Sequence, residues 1–240
     1  MKGLIRSEWL KEKRSFQKKL ILIAPIINIL LAFALMAGKY FQNFTYNNWY
    51  ILLLPASLTI ISTAIVSKDK KRNFHGLFGV IENKEKLWIS KVILGVIYLG
   101  IMNIILFLGC GLVGALYGQT ISILNEFLAS LVLFITFAWQ IPLWMFIGSK
   151  MNSGLVLILS LICNFGCSIF VAIKWFWWIP FSIPARLMCA TISVLPNGLS
   201  VEEGSKLLNR NVIGIGVLIT IILFIIVTYV TAKLFKNQEV

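Results

Sequence analysis

Charge is scarce in this chain of 240 residues: Asp, Glu, Lys and Arg together make up 13% of it, histidine occurs once, as His75, and there are four cysteines. With one histidine and no cluster of Cys, His or acids at ligand spacing, no metal site is expected. Cys110, Cys163 and Cys167 fall inside apolar runs, where a reduced buried thiol is the default, and Cys189 has no evident partner, so no disulfide is expected either. No G-x-x-x-x-G-K-[ST] run occurs, which predicts that the chain has no phosphate-cradling loop and hydrolyses no nucleotide itself. Ser, His and acidic residues show no arrangement of a nucleophilic triad.

Apolar residues are abundant instead, at 59% of the chain, with a mean hydropathy of +0.89. These values lie outside the range of ordinary soluble domains and predict an all-α polytopic membrane protein. The net charge of +13 does not point to nucleic acid, because the basic residues lie between long apolar runs, where they set orientation in a bilayer. Six runs reach spanning length, at 20–38, 49–67, 92–117, 127–147, 154–173 and 212–232. Placing the N-terminus inside leaves 17 Lys and Arg in the inner segments and five in the outer ones, so both termini are expected to be cytoplasmic. Ala32-Phe33-Ala34 resembles a cleavage site, but the long basic stretch before it favours an uncleaved first helix.

Residues 1–19 read as a basic amphipathic helix lying in the headgroup layer, with Ile5, Trp9, Phe16 and Leu20 in one stripe, and 20–240 as the six-span domain. Polar residues within the spans, Asn28, Thr59, Ser62, Thr63 and Asn164, are expected to face other helices; Gln140 with Pro142 predicts a kink. Tyr40, Phe41, Tyr46, Trp49 and Tyr50 read as an outer aromatic belt, and Gly114 with Gly118 as a small-xxx-small helix contact. Glu126 stands at the outer start of the fourth span, where a helix N-terminus favours an acid. No span carries an ionisable residue in its middle, which argues against proton- or sodium-coupled transport.

Two hydrophilic stretches stand out. In Ser67 to Lys91, seven basic and three acidic residues flank Phe74, Leu77, Phe78 and Ile81 at i, i+3, i+4 and i+7, one face of a two-turn helix. This cytoplasmic loop, 68–91, is a candidate docking surface, although a solvated basic loop that only fixes orientation has the same composition. In the outer segment 174–211, Trp175, Trp177 and Trp178 are interfacial anchors and Ser182 is a candidate cap for a short helix starting near Pro184. Pro196-Asn197-Gly198 predicts a turn, and Ser200 with Glu203 a capping box for a second short helix. The two short helices, one apolar enough to re-enter the membrane, are expected to form a lid.

The basic N-terminal helix, six spans, charged loop after span two and Pro-rich outer segment together resemble the permease subunits of type-2 ABC exporters. Within that class the chain looks most like the lantibiotic self-immunity permeases, through WWIPFSIPARLM (Trp177 to Met188), VLPNG (Val194 to Gly198) and KKRNFHGLFGVIENKEKLWISK. The loop has Asp69 before Lys70 and Lys71 where many relatives have an early Glu. The resemblance implies that a separate ABC ATPase subunit, which holds the ATP and Mg, docks on Phe74, His75, Leu77, Phe78, Ile81 and Glu82, while this chain carries no cofactor. It also implies a second permease subunit, related or identical, and a location in the bacterial cytoplasmic membrane among its lipids. Trp177, Trp178, Pro180, Pro184, Arg186, Pro196, Asn197 and Gly198 would face a cationic peptide substrate, with Glu126, Glu202 and Glu203 as the outer acids available for its charge. Another exported drug, lipid or polysaccharide, or a non-transporting intramembrane enzyme or sensor, is the alternative.

Overall fold

The computed structural model describes residues 1–12, 15–36, 38, 40–70 and 83–237. Its elements are α1 (Lys2–Lys11), α2 (Phe16–Met36), α3 (Phe41–Asn48), a π-helical turn (Trp49–Leu53), α4 (Leu54–Lys70), α5 (Lys84–Tyr117), α6 (Ile123–Ala138), α7 (Gln140–Lys150), α8 (Ser153–Phe170), α9 (Ile183–Ile192), a 3₁₀ turn (Lys206–Leu208) and α10 (Asn211–Lys236). Among the described residues the only extended pairing is a single bridge between Val194 and Ser200. Six helical stretches are long and apolar enough to cross a membrane: Phe16–Met36, Phe41–Ser67, Lys84–Tyr117, Ile123–Lys150, Ser153–Phe170 and Asn211–Lys236. The chain is therefore an all-α polytopic membrane protein, and each predicted span overlaps one of these helices.

Proline shapes two of the spans. Pro55 has no N–H to offer the carbonyl of Ile51, and the turn before it widens so that Leu54 N–H reaches back five residues to Trp49 O. Pro142 likewise leaves the carbonyl of Ala138 without its donor, and the fourth span divides at Trp139 into α6 and α7. The predicted kink is thus found. Side-chain caps fix three starts: Asn83 accepts from Lys86 N–H, Ser122 from Asn125 N–H and Asn152 from Gly154 N–H.

The second, third and fourth spans form the interior, while the first, fifth and sixth turn wide apolar flanks outward; only 11% of the window in α10 is buried. Polar groups hold the interior together. Asn28 donates to Thr45 O and accepts from Asn48, Thr59 donates to Ser160 Oγ at 2.7 Å, and Gln140 and Asn164 exchange two amide bonds at 2.8 and 3.0 Å. Such bonds satisfy in protein what lipid cannot.

Several local expectations are corrected. The stripe from Ile5 to Leu20 does not lie on one helix, because α1 ends at Lys11 and Phe16 and Leu20 belong to α2, with Phe16 exposed. Phe41, Tyr46, Trp49 and Tyr50 are not a surface belt: the second span starts earlier, at Phe41, and all four rings are buried in the core, leaving Tyr40 outside. Gly114 and Gly118 do not act as a pair. A Cβ on Gly114 would come within 2.5 Å of Gln42 Nε2, so this glycine makes room for a side chain, whereas Gly118 ends α5 at a φ of +103°.

Candidate functional site

The end of the bundle carrying both termini, called the basic end below, contains a buried ionic cluster. Lys91, in the second turn of α5, points inward together with Leu87, Trp88 and Ser90, and its side chain is 1% exposed. Its ammonium has three donors, and three acceptors surround it: Glu8 Oε2 of α1 at 2.5 Å, Asp69 Oδ2 of α4 at 2.5 Å and the carbonyl of Ile65 at 3.5 Å. Lys11 closes the cluster from the rim, 2.6 Å from Glu8 Oε1 and 3.6 Å from Asp69 Oδ1. Lys91 inside and Lys11 at the rim thus set positive charge against both carboxylates, and pairing of this kind is the condition for keeping charge out of water.

The location matters more than the pairing. Asp69 lies at the end of α4 and Lys91 near the start of α5, so their ion pair clamps the two flanks of residues 71–82, and Glu8 fastens α1 across the clamp. Aromatic contacts extend the assembly: Trp9 packs on Tyr98 at 5.5 Å beneath Lys18, and Trp88 donates to Thr231 Oγ at 3.0 Å while stacking near Phe235. Helices α1 and α4 therefore meet α5 at the cluster, and α10 packs on α5 beside it. The predicted docking residues Phe74, His75, Leu77, Phe78, Ile81 and Glu82 lie outside the described residues. The loop expected at 68–91 is shorter than that, because α4 continues to Lys70 and α5 begins at Lys84.

At the opposite end Glu126 is fully buried; its Oε1 accepts from Gln42 Nε2 at 2.8 Å, and its Oε2 has no hydrogen-bond partner among the described residues. Gln42 Oε1 in turn accepts from Thr120 N–H, Thr120 Oγ and Ile121 N–H, fixing the turn between α5 and α6. Tyr46 OH lies 3.1 Å from both Glu126 O and Ser130 Oγ. Glu126 stands in the first turn of α6, where the sequence places an acid at a helix N-terminus, but Ser122 supplies the side-chain cap and the carboxylate is enclosed rather than open to a cationic ligand. Thr120 also borders a surface crevice of about 410 Å³ in which the uncharged polar groups of Tyr40, Asn43, Ser193 and Ser200 are mixed with Ile121 and Ile192.

The segment before the last span is more deeply embedded than a lid. Every residue of α9 from Ile183 to Ile192 is buried, and Gly216 lets Ile183 and Leu187 approach α10 closely. Ser182 precedes α9 without capping it, since its hydroxyl donates to Trp177 O and Ile179 O. Arg186, 5% exposed, does not face outward: it donates to Leu207 O at 2.7 Å and Lys206 O at 3.2 Å and lies over the half-buried ring of Trp177. Burial lowers the pKa of its guanidinium and pushes the Cys189 thiol up to about 11. The turn at Pro196-Asn197-Gly198 forms as expected, with Gly198 at a φ of +84°, and Asn47 of α3 donates to Leu195 O beside it. Ser200 and Glu203 open no helix; Ser200 pairs with Val194, and Ser205 caps the short 3₁₀ turn instead.

Pro180 is half-buried and Pro184 and Pro196 are buried, whereas Trp178, Asn197, Glu202 and Glu203 are exposed. The ionic cluster was missed in the sequence because its members read as ordinary basic-end charge; the one signal was the pair of acids, Glu8 and Glu12, within an otherwise basic N-terminal stretch. No metal-holding group of three or more His, Cys, Asp or Glu occurs among the described residues. Compared with protein-family models, curated proteins and solved structures, the chain matches none.

Proposed function

We propose that this chain is the membrane-spanning permease subunit of an ATP-driven exporter of the type-2 ABC class. In this reading it works in a bacterial cytoplasmic membrane with its basic end inside, beside a second permease and an ATPase that supplies ATP and Mg chemistry. The observation that carries the reading is the buried cluster of Lys91, Glu8 and Asp69, which joins the N-terminal helix to both flanks of residues 71–82. A subunit without a phosphate-binding loop needs mechanical input from a partner, and a force applied to 71–82 would reach α1, α4 and α5 together through that cluster. The sequence resemblance and the excess of basic residues at this end support the same assignment.

For the cargo we propose a cationic, amphipathic peptide of the lantibiotic kind, expelled from the outer leaflet. Exposed Trp175 and Trp178 suit an interfacial peptide, and exposed Glu202 and Glu203 offer it negative charge; Glu126, being enclosed, is withdrawn from that role. Co-purification from the native membrane tests the assignment. An ATPase subunit should accompany the intact chain, and Phe74→Ala with Leu77→Ala and Phe78→Ala should release it and abolish peptide resistance. A chain that binds no ATPase, and whose triple variant keeps full resistance, would exclude the exporter reading.

A further inference from the structure

A groove of about 280 Å³ runs between the first turns of α5 and the last turns of α10 at the basic end. Ile89, Phe224, Ile225 and Ala232 line its apolar part, and Glu85, Tyr229 and Lys233 form its rim. Lys236 neutralises Glu85 at 3.2 Å, and Lys233 Nζ sits 5.1 Å from the Tyr229 ring centroid. Lys233 and Lys236 thus bring two positive charges to this rim against one acid, Glu85. Inside the groove the Thr228 hydroxyl is shielded from solvent and has no hydrogen-bond partner. The gradation runs from cationic rim through one polar group to an apolar channel on the outward flank of α10, where Ile225 is 61% exposed.

We propose that this groove binds an anionic phospholipid, its phosphate among the rim lysines and one acyl chain along Phe224 and Ile225. Charge selects the occupant: an excess of lysine at the membrane surface attracts acidic headgroups. A second copy of the chain fits less well, because a symmetric contact through this face would set lysine rim against lysine rim. The site is independent of the transport reading, since it requires only a bilayer with acidic lipid.

The test uses the full chain purified in neutral detergent and titrated with phosphatidylglycerol, phosphatidylcholine or glycerol 3-phosphate. Native mass spectrometry counts bound lipid and thermal unfolding reads stabilisation. Phosphatidylglycerol should bind and raise the unfolding temperature, while the neutral lipid and the lone headgroup do neither. Lys233→Gln with Lys236→Gln should weaken phosphatidylglycerol binding by about tenfold, the scale of one to two lysines at an acidic surface. Ile225→Trp, which blocks the channel on an exposed face, should weaken it as well, and Lys150→Gln at the same end should not. Undiminished binding by the double lysine variant would overturn the proposal. So would competition by glycerol 3-phosphate at lipid-like concentration, or efficient cross-linking of Ile225→Cys chains into dimers through this face.

Discussion

At the basic end, charges from three helices meet in a cluster whose inner members, Lys91, Glu8 and Asp69, are closed to water; at the far end a single buried carboxylate accepts from the amide of Gln42, while the Tyr46 hydroxyl, beside that of Ser130, meets the backbone carbonyl of the same residue. Both arrangements fasten helices that are distant in sequence. They differ in what happens when one member is lost. Removing one ion from a balanced buried set strands the others, whereas removing one neutral partner leaves only unsatisfied hydrogen bonds. The basic end is therefore an all-or-none fastening, and the far end a graded one.

The comparison is sharpest at Lys91. Lys91→Met should destabilise the chain by about 3–5 kcal/mol, because Glu8 and Asp69 are left buried together with only Lys11 at the rim to face them, and unfolding in detergent measures it. Adding Glu8→Gln and Asp69→Asn should return most of that loss, since the one charge that remains, Lys11, stands at the rim with access to water. A smaller effect is expected at the far end, where Gln42→Ala leaves Glu126 and the donors of Thr120 and Ile121 unpaired at a cost of about 1–3 kcal/mol. Gln140→Leu, which breaks the amide exchange with Asn164 between two spans, should cost about 1–2 kcal/mol in the same assay. Smallest of all, Lys236→Gln removes an exposed pair with Glu85 and should change stability by about 0–1 kcal/mol. If Lys91→Met proved no worse than Lys236→Gln, the distinction between enclosed and exposed charge would fail.

The six spans were legible because length and apolarity alone decide what can cross a bilayer, and Pro142 and Gly198 announced their bend and turn through backbone chemistry. Asn28, Thr59 and Asn164 were legible as interior polar groups for the same reason. The ionic cluster was not, since its partners lie 83 and 22 residues apart and a lysine in a basic stretch reads as solvated. Tyr46, Trp49 and Tyr50 were misplaced because an aromatic belt and an aromatic core have the same composition near a span's end. Arg186 was misread likewise: its acceptors are two carbonyls of the 3₁₀ turn, which no residue type advertises.

Hydrogen exchange of the chain in lipid nanodiscs, comparing wild type with Lys91→Met, tests the central claim that one cluster binds α1 to both flanks of residues 71–82. Amide protection across Lys2–Lys11, the last turn of α4 and the first turns of α5 should fall together in the variant, while α9 and the Gln42 network keep theirs. Protection of α1 that persists unchanged when Lys91 is removed would contradict the account.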